Sequence, residues 1–206
     1  MRQLFRNPFF WAFVAGCAVI TSMRPLLRRI PDPPPVLRQI PPFTLVDATG
    51  KPFGSDDLRG HVYVASFFFT RCPSICPTLM KDLARLQDRF RREGLDTIRL
   101  VSVTVDPEHD TPQELGAAVE RYGVDPARWI LLTGPRPSIR ALAIDGFQVP
   151  LGEPENAEGG LFDIAHTGKL LLVDASGALR GYYDTGDLGI DEVFWRSKRV
   201  VEEQAG

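Results

Sequence analysis

The chain has 206 residues, 44% of them hydrophobic and 24% charged, which suits one folded domain plus an attached segment, and its three cysteines are too few for a disulfide-built scaffold. The formal net charge of −2 hides an asymmetry: six arginines and one acid lie up to Arg38, so 18 of the 24 basic and 25 of the 26 acidic residues follow, a net of −7. An acidic domain has no electrostatic footprint for nucleic acid, and no nucleic-acid partner is expected.

Residues 9–23, FFWAFVAGCAVITSM, are uncharged and mostly apolar, with Arg2 and Arg6 before them and Arg24, Arg28 and Arg29 after. The run is short for a bilayer, but snorkelling arginines bring it close, and residues 1–30 read as a single membrane anchor. A cleaved signal peptide fits less well, because no small-x-small site precedes the polar chain. A lipidated Cys17 is the third reading, since VAGC places small residues before a cysteine; the apolar run continuing as AVITSM argues against it. More arginines follow the run than precede it, which does not favour a cytoplasmic N-terminus. Residues 31–42, PDPPPVLRQIPP, read as a stiff extended spacer, and residues 43–206 as the globular domain.

Within that domain, FTLVDATGKPF (43–53) predicts a strand, a turn and a return. HVYVASFFF (61–69) is apolar on both faces, the pattern of a central buried strand. In TLMKDLARLQDRF, Leu79, Leu83, Leu86 and Phe90 share one helical face, and Gly94 ends that helix. TIRLVSVTVD (97–106) predicts the next strand. Thr111, Pro112 and Glu114 form a helix start with cap, first-turn proline and acid. WILLT (129–133) is a short strand and RPSIRALAIDGF a short helix. HTGKLLLVDASGALRGYYD predicts a hairpin turning at Ser176-Gly177, and DEVFWRSKRVVEEQ (191–204) a final helix. Strand–helix–strand units imply a parallel core, to which the hairpin adds antiparallel strands. No Gly-rich loop follows a strand as nucleotide or flavin binding requires.

Cys72 and Cys76, in FFFTRCPSICP, sit where the buried strand meets the first of these helices. Pro77 suits the first helical position, which puts Cys76 at or near the cap, where unsatisfied N–H groups favour a thiolate. That suits a nucleophile and a metal ligand alike. Thioredoxin-type pairs are C-x-x-C; three intervening residues widen the loop to suit two thiolates around one metal. Of the three histidines, His61 reads as a surface residue at a strand end and His109 as solvated. His166, taken alone, reads as a strand-end or core histidine. Two cysteines and a histidine are too few for a closed zinc site but fit copper, because soft thiolates select Cu(I) and imidazole also holds Cu(II).

FFFTRCPSICPTLM, VSVTVDPEHDTP and DIAHTGKLLLVDASGALRGYYD, in that order, resemble the SCO/SenC family over roughly residues 40–204. These are membrane-tethered, thioredoxin-like proteins that handle copper and thiols during cytochrome c oxidase assembly. The resemblance implies an α/β, thioredoxin-like fold with a mixed central sheet flanked by helices, preceded by the N-terminal anchor. It implies Cys72, Cys76 and His166 as copper ligands. Asp106 matches the acid after the family's third core strand and takes a supporting role, beside the metal or against the partner. The family usually has arginine where His109 stands, which leaves an auxiliary metal contact open there. The implied function is a metallochaperone delivering Cu(I) or Cu(II) to the CuA site of oxidase subunit II, with that subunit or another copper donor or acceptor as partner. The alternative is a thiol–disulfide reductase, in which Cys72 and Cys76 attack and resolve a disulfide on the subunit's copper-ligand cysteines. A structural module with a static disulfide is the third reading. A peroxidase would want Thr-x-x-Cys, and Thr70-Arg71-Cys72 is one residue short. The family normally faces the periplasm or an equivalent compartment, which places the domain outside the cytoplasm.

Overall fold

Six consecutive buried residues, Tyr63–Phe68, form the central strand of the domain, as an apolar run on both faces predicts. The computed structural model describes residues 8–27, 33–151 and 168–205, in two units, 1–31 and 32–206.

The first unit holds one helix, α1 (Pro8–Leu27). Its uncharged stretch, 9–23, has 15 residues. That rises about 22 Å, against about 30 Å of bilayer hydrocarbon. Among the described residues no helix is long and apolar enough to cross a membrane. The spanning anchor read from the sequence is therefore not found in this helix; Arg24 and Pro25 close the apolar run early.

In the second unit the elements are β1 (Arg38–Gln39), β2 (Thr44–Asp47), β3 (Pro52–Gly54), β4 (Tyr63–Phe68), α2 (Cys76–Arg92), β5 (Arg99–Thr104), α3 (Pro112–Tyr122), β6 (Trp129–Thr133), α4 (Arg136–Ala141) with a π-helical turn (Leu142–Gly146), β7 (Lys169–Val173), β8 (Ala178–Asp184) and α5 (Asp187–Ala205). One sheet takes the order β1-β8-β7-β4-β5-β6-β2-β3. Strands β4, β5 and β6 run parallel, linked by α2 and α3, and β7 lies antiparallel on the other side of β4. This is the mixed sheet expected, and it sets the loop leaving the C-terminal end of β4 at the sheet's middle.

Local signals account for most boundaries. Leu79, Leu83, Leu86 and Phe90 are buried on α2, and Gly94 adopts φ 69° as the chain leaves it. The Thr111 hydroxyl accepts from the Glu114 N–H and Gly123 closes α3 in the left-handed region. Helix α5 starts at Asp187, four residues before the predicted Asp191. Asp82 of α2 accepts the Gly186 N–H at 2.8 Å, capping the extra turn. Gly189 is required there, since a Cβ would lie 1.8 Å from the Asp184 carbonyl oxygen.

The proline-rich stretch behaves differently from a free spacer. Leu37 N–H donates to the Leu179 carbonyl (2.8 Å) and Ile40 N–H to that of Gly177 (3.0 Å). Residues 38–39 pair antiparallel with β8, and the Pro34 carbonyl accepts from Arg180 Nε at 2.7 Å. Prolines are tolerated at this edge, where they also block further strand pairing.

Behind β4 the core holds a small polar ladder. Ser66 and Ser102 hydroxyls meet at 2.8 Å, and the Trp129 indole N–H donates to Ser102 at 2.9 Å, all fully buried. Trp129→Phe removes that donor and leaves a void beside it. We expect a loss of about 2 kcal/mol, read from urea unfolding.

Candidate thiol and metal site

The loop between β4 and α2 carries both cysteines. Cys72 N–H donates to the Phe69 carbonyl at 3.3 Å, turning the chain just past the strand. Cys76 is the first residue of α2; the cap is Ile75, which offers no side-chain acceptor, and Pro77 lies in the first turn. The Cys76 N–H instead donates to the Cys72 sulfur at 3.4 Å. Cys72 thus supplies the acceptor that a serine or aspartate cap would. Its sulfur also lies 3.8 Å from the Ser74 hydroxyl. Both are free thiols and both are buried.

This arrangement divides the two thiols. Burial pushes Cys72 up, but backbone N–H groups of Cys76 and Ser74, with further contacts from both side chains, outweigh it and bring the thiol to about 7. Burial pushes Cys76 up to about 12; a backbone hydrogen bond from Phe69 opposes this, while Cys72 and the carboxylate of Asp110 add to it. The expectation that Cys76 carries the favoured thiolate is therefore reversed. The N–H groups at a helix start point back at the preceding loop, so they serve Cys72 and leave the first helical residue's own sulfur without them.

An ultraviolet thiolate titration of a Cys17→Ser chain checks this: one thiolate should form around pH 7 and the second only near pH 12. The linked stability follows by sign. Cys72, lowered on folding, stabilises fully above its ordinary 9.0 and loses that contribution as pH falls through about 7. Cys76, raised on folding, destabilises only as pH climbs above 9.0.

Asp106 is buried, and Arg71, the residue before Cys72, reaches its Oδ2 at 3.1 Å. His109 Nδ1 lies 2.9 Å from both of its carboxylate oxygens. Asp106 thus connects to the cysteine loop through Arg71, and His109, read as solvated, is held on the same carboxylate. His61, at the far end of β4, has its Nδ1 3.2 Å from the Thr97 carbonyl.

One buried acid of this site escaped the sequence reading. Asp110 is fully buried and accepts from Thr70 and Thr104. Its setting in EHDTP reads as a polar loop, and nothing local marks it as interior.

His166 lies outside the described residues. Gly168, two positions on, passes against Ile75: a Cβ there would be 2.6 Å from Ile75 Cδ1. Among the described residues no group of three His, Cys, Asp or Glu side chains could hold a metal. The pair itself is a soft donor set of the kind that suits Cu(I), with one sulfur close to thiolate at neutral pH.

Comparison with known proteins gives a consistent result. The SCO1/SenC family model matches residues 32–202. The SCO1 protein homolog of Bacillus subtilis is 30% identical over 161 residues, 77% of this chain and 81% of its own length. A SCO1/SenC family lipoprotein from Bacillus anthracis is similar at a TM-score of 0.72 and 32% identity, covering 80% of this chain and 95% of that one. BsSco, a member of the Sco family of cytochrome c oxidase assembly proteins with a disulfide switch, matches at a TM-score of 0.72 and 27% identity, over 82% of this chain and 98% of its own. ScoI of Bradyrhizobium japonicum, solved with copper bound, shares the fold at a TM-score of 0.66 and 23% identity, over 79% of this chain and 99% of that one. The mixed sheet is the thioredoxin-like fold of these structures.

Proposed function

The chain belongs to the SCO1/SenC family, and we propose that it is a copper carrier, taking copper as cargo on Cys72, Cys76 and His166 and delivering it to the CuA site of cytochrome c oxidase subunit II. The observation that carries this reading is the pair of buried sulfurs at the end of β4, one accepting the other's N–H and near thiolate at neutral pH. Soft thiolates take Cu(I), and binding removes the Cys76 proton that burial holds on the free thiol. Gly168, two positions after His166 in the sequence, lies against Ile75, the residue before Cys76. Three protein donors leave a face open, so the metal can pass to an acceptor by ligand exchange, driven by the acceptor's affinity. Asp106, gripping Arg71, supports the loop where that acceptor would approach.

A reductase is the second reading, and the low Cys72 value favours it as an attacking thiolate. Cys72 would attack a disulfide on the acceptor and release one acceptor thiolate. Cys76 would then attack Cys72, releasing the second and leaving a Cys72–Cys76 disulfide, so the acceptor gains two electrons. Cys76 must lose its raised proton in that second step as it must to bind copper, and the soft two-sulfur donor set ranks the carrier first.

In this reading the N-terminal segment attaches the chain to a membrane with the domain outside the cytoplasm. Phe9, Phe13, Val19 and Ile20 of α1 are exposed and call for an apolar cover, and the B. anthracis relative is a lipoprotein. Membrane fractionation of the full chain against one lacking residues 1–31 should show attachment only in the first.

The ligand set is tested by titrating the reduced full chain with Cu(I) against a competing chelator. His166→Ala should weaken binding by about 100-fold or more. Equal affinity in the two chains would remove His166 from the donor set.

A further inference from the structure

Behind the cysteine loop lies a carboxylate that neither thiol chemistry nor metal binding uses directly. Asp110 is 0% exposed. Its Oδ2 accepts the Thr70 N–H at 3.0 Å and the Thr104 hydroxyl, and its Oδ1 accepts the Thr70 hydroxyl. Among the described residues no arginine, lysine or histidine pairs with it. Burying a carboxylate without a cation is costly, and three directed donors are what make it tolerable. The carboxylate accepts all three donors on its two oxygens, and an amide in its place could keep the pattern only by turning the Thr70 hydroxyl from donor to acceptor.

The bonds converge on the thiol loop from two other elements. Asp110 N–H donates to the Asp106 carbonyl at 2.9 Å, and the Thr104 hydroxyl accepts the Asp106 N–H at 3.0 Å, so the acid is fixed to the end of β5. The next residue, Thr111, caps α3. From that rigid seat it holds Thr70 by both N–H and hydroxyl. Thr70 follows Phe69, whose carbonyl accepts the Cys72 N–H and whose backbone also bonds the Cys76 sulfur. Both cysteines are thus hung from the residue beside the one Asp110 grips.

We propose that Asp110 is a positioning residue for the thiol pair: through Thr70 it fixes the turn that sets the approach of the Cys72 and Cys76 sulfurs. The inference rests on the reading of these cysteines as the working pair.

The test uses the full chain with Cys17→Ser and two readouts. One is the equilibrium of the pair with glutathione, in which oxidised glutathione takes two electrons and two thiol protons as the Cys72–Cys76 disulfide forms. The other is Cu(I) affinity against bicinchoninate. Asp110→Asn keeps the size but replaces one acceptor with a donor, so the Thr70 hydroxyl must reverse its bond or lose it. The disulfide-forming constant should fall about tenfold, raising the potential by about 30 mV, and Cu(I) affinity should fall about tenfold. Thr70→Val should move both in the same direction, and Thr70→Ser should keep both at the parent values. A folded Asp110→Asn chain with both parent values overturns the proposal; if that chain does not fold, parent values in Thr70→Val do so. A parent chain that binds no Cu(I) would sink the carrier reading alone, because the glutathione equilibrium still decides the role of Asp110.

Discussion

Replacing Cys72 by serine is expected to lower the Cu(I) affinity of the full chain by roughly a thousandfold or more, with little change in stability. The hydroxyl is a hard, neutral donor that Cu(I) takes poorly. It still accepts the Cys76 N–H, as serine does at many helix starts, so α2 keeps its cap. Cys76→Ser should cost a similar factor in copper, because two sulfurs are the core of the site. The two variants part company toward a disulfide substrate. Cys76→Ser retains the thiol near 7 and should accumulate a mixed disulfide through Cys72. With both variants made in a Cys17→Ser chain, Cys72→Ser retains only the buried Cys76 thiol, which burial holds protonated, and should accumulate almost none at neutral pH. Intact-mass measurement after exposure to a small disulfide separates the two, and the opposite pattern would overturn the division of the thiols.

Arg180→Ala should destabilise the domain by about 3–5 kcal/mol, the range for breaking one side of a buried ion pair. The side chains of Arg180 and Asp174 are 5% and 4% exposed and meet at 3.0 Å. The same guanidinium reaches Glu203 of α5 and the Pro34 carbonyl. Its removal strands a negative charge in the interior and frees residues 34–40 from the edge of β8. Unfolding by urea measures the loss, and limited proteolysis should find new cuts before Ile40. Burial alone would raise the Asp174 carboxyl, but bonds from Ser176, Ala178 and Arg180 hold it below its ordinary 3.8. Its stabilising contribution is therefore complete above pH 3.8 and lost as pH falls through the lower folded value. A variant with unchanged urea stability would show that the network adds nothing to the fold.

How much of this was legible beforehand depends on how local each signal is. Strand β4 and helix α2 announce themselves through HVYVASFFF and the Leu79–Phe90 stripe, because burial on two faces and on one helical face leave different periods. The α3 cap at Thr111 and the Ser176-Gly177 turn are read from side chains that act within a few residues. The pairing of Arg38–Gln39 with β8 joins segments some 140 residues apart, as in Arg38 with Leu179, so proline content alone suggested a spacer. Asp110 looks like any loop acid until Thr70 and Thr104 close over it. Which thiol ionises turned on burial and on the direction of the Cys76 and Ser74 N–H groups, and helix position alone pointed to the wrong cysteine. For α1 the flanking arginines suggested a span that the length of the apolar run does not reach.

The most direct test of copper delivery is a transfer experiment. The reduced full chain is loaded with one equivalent of Cu(I) and mixed with the soluble copper domain of oxidase subunit II, prepared once with its cysteines reduced and once with them oxidised. Copper on each protein is measured after separation, together with the thiol content of the acceptor. The expected result is that copper leaves Cys72 and Cys76 for the reduced acceptor, and that His166→Ala, loaded in the presence of a competing chelator that the parent chain outcompetes, retains no copper to transfer. Reduction of the oxidised acceptor at the expense of the Cys72–Cys76 thiols, with no copper moving to the reduced one, would contradict it and make the pair a carrier of electrons.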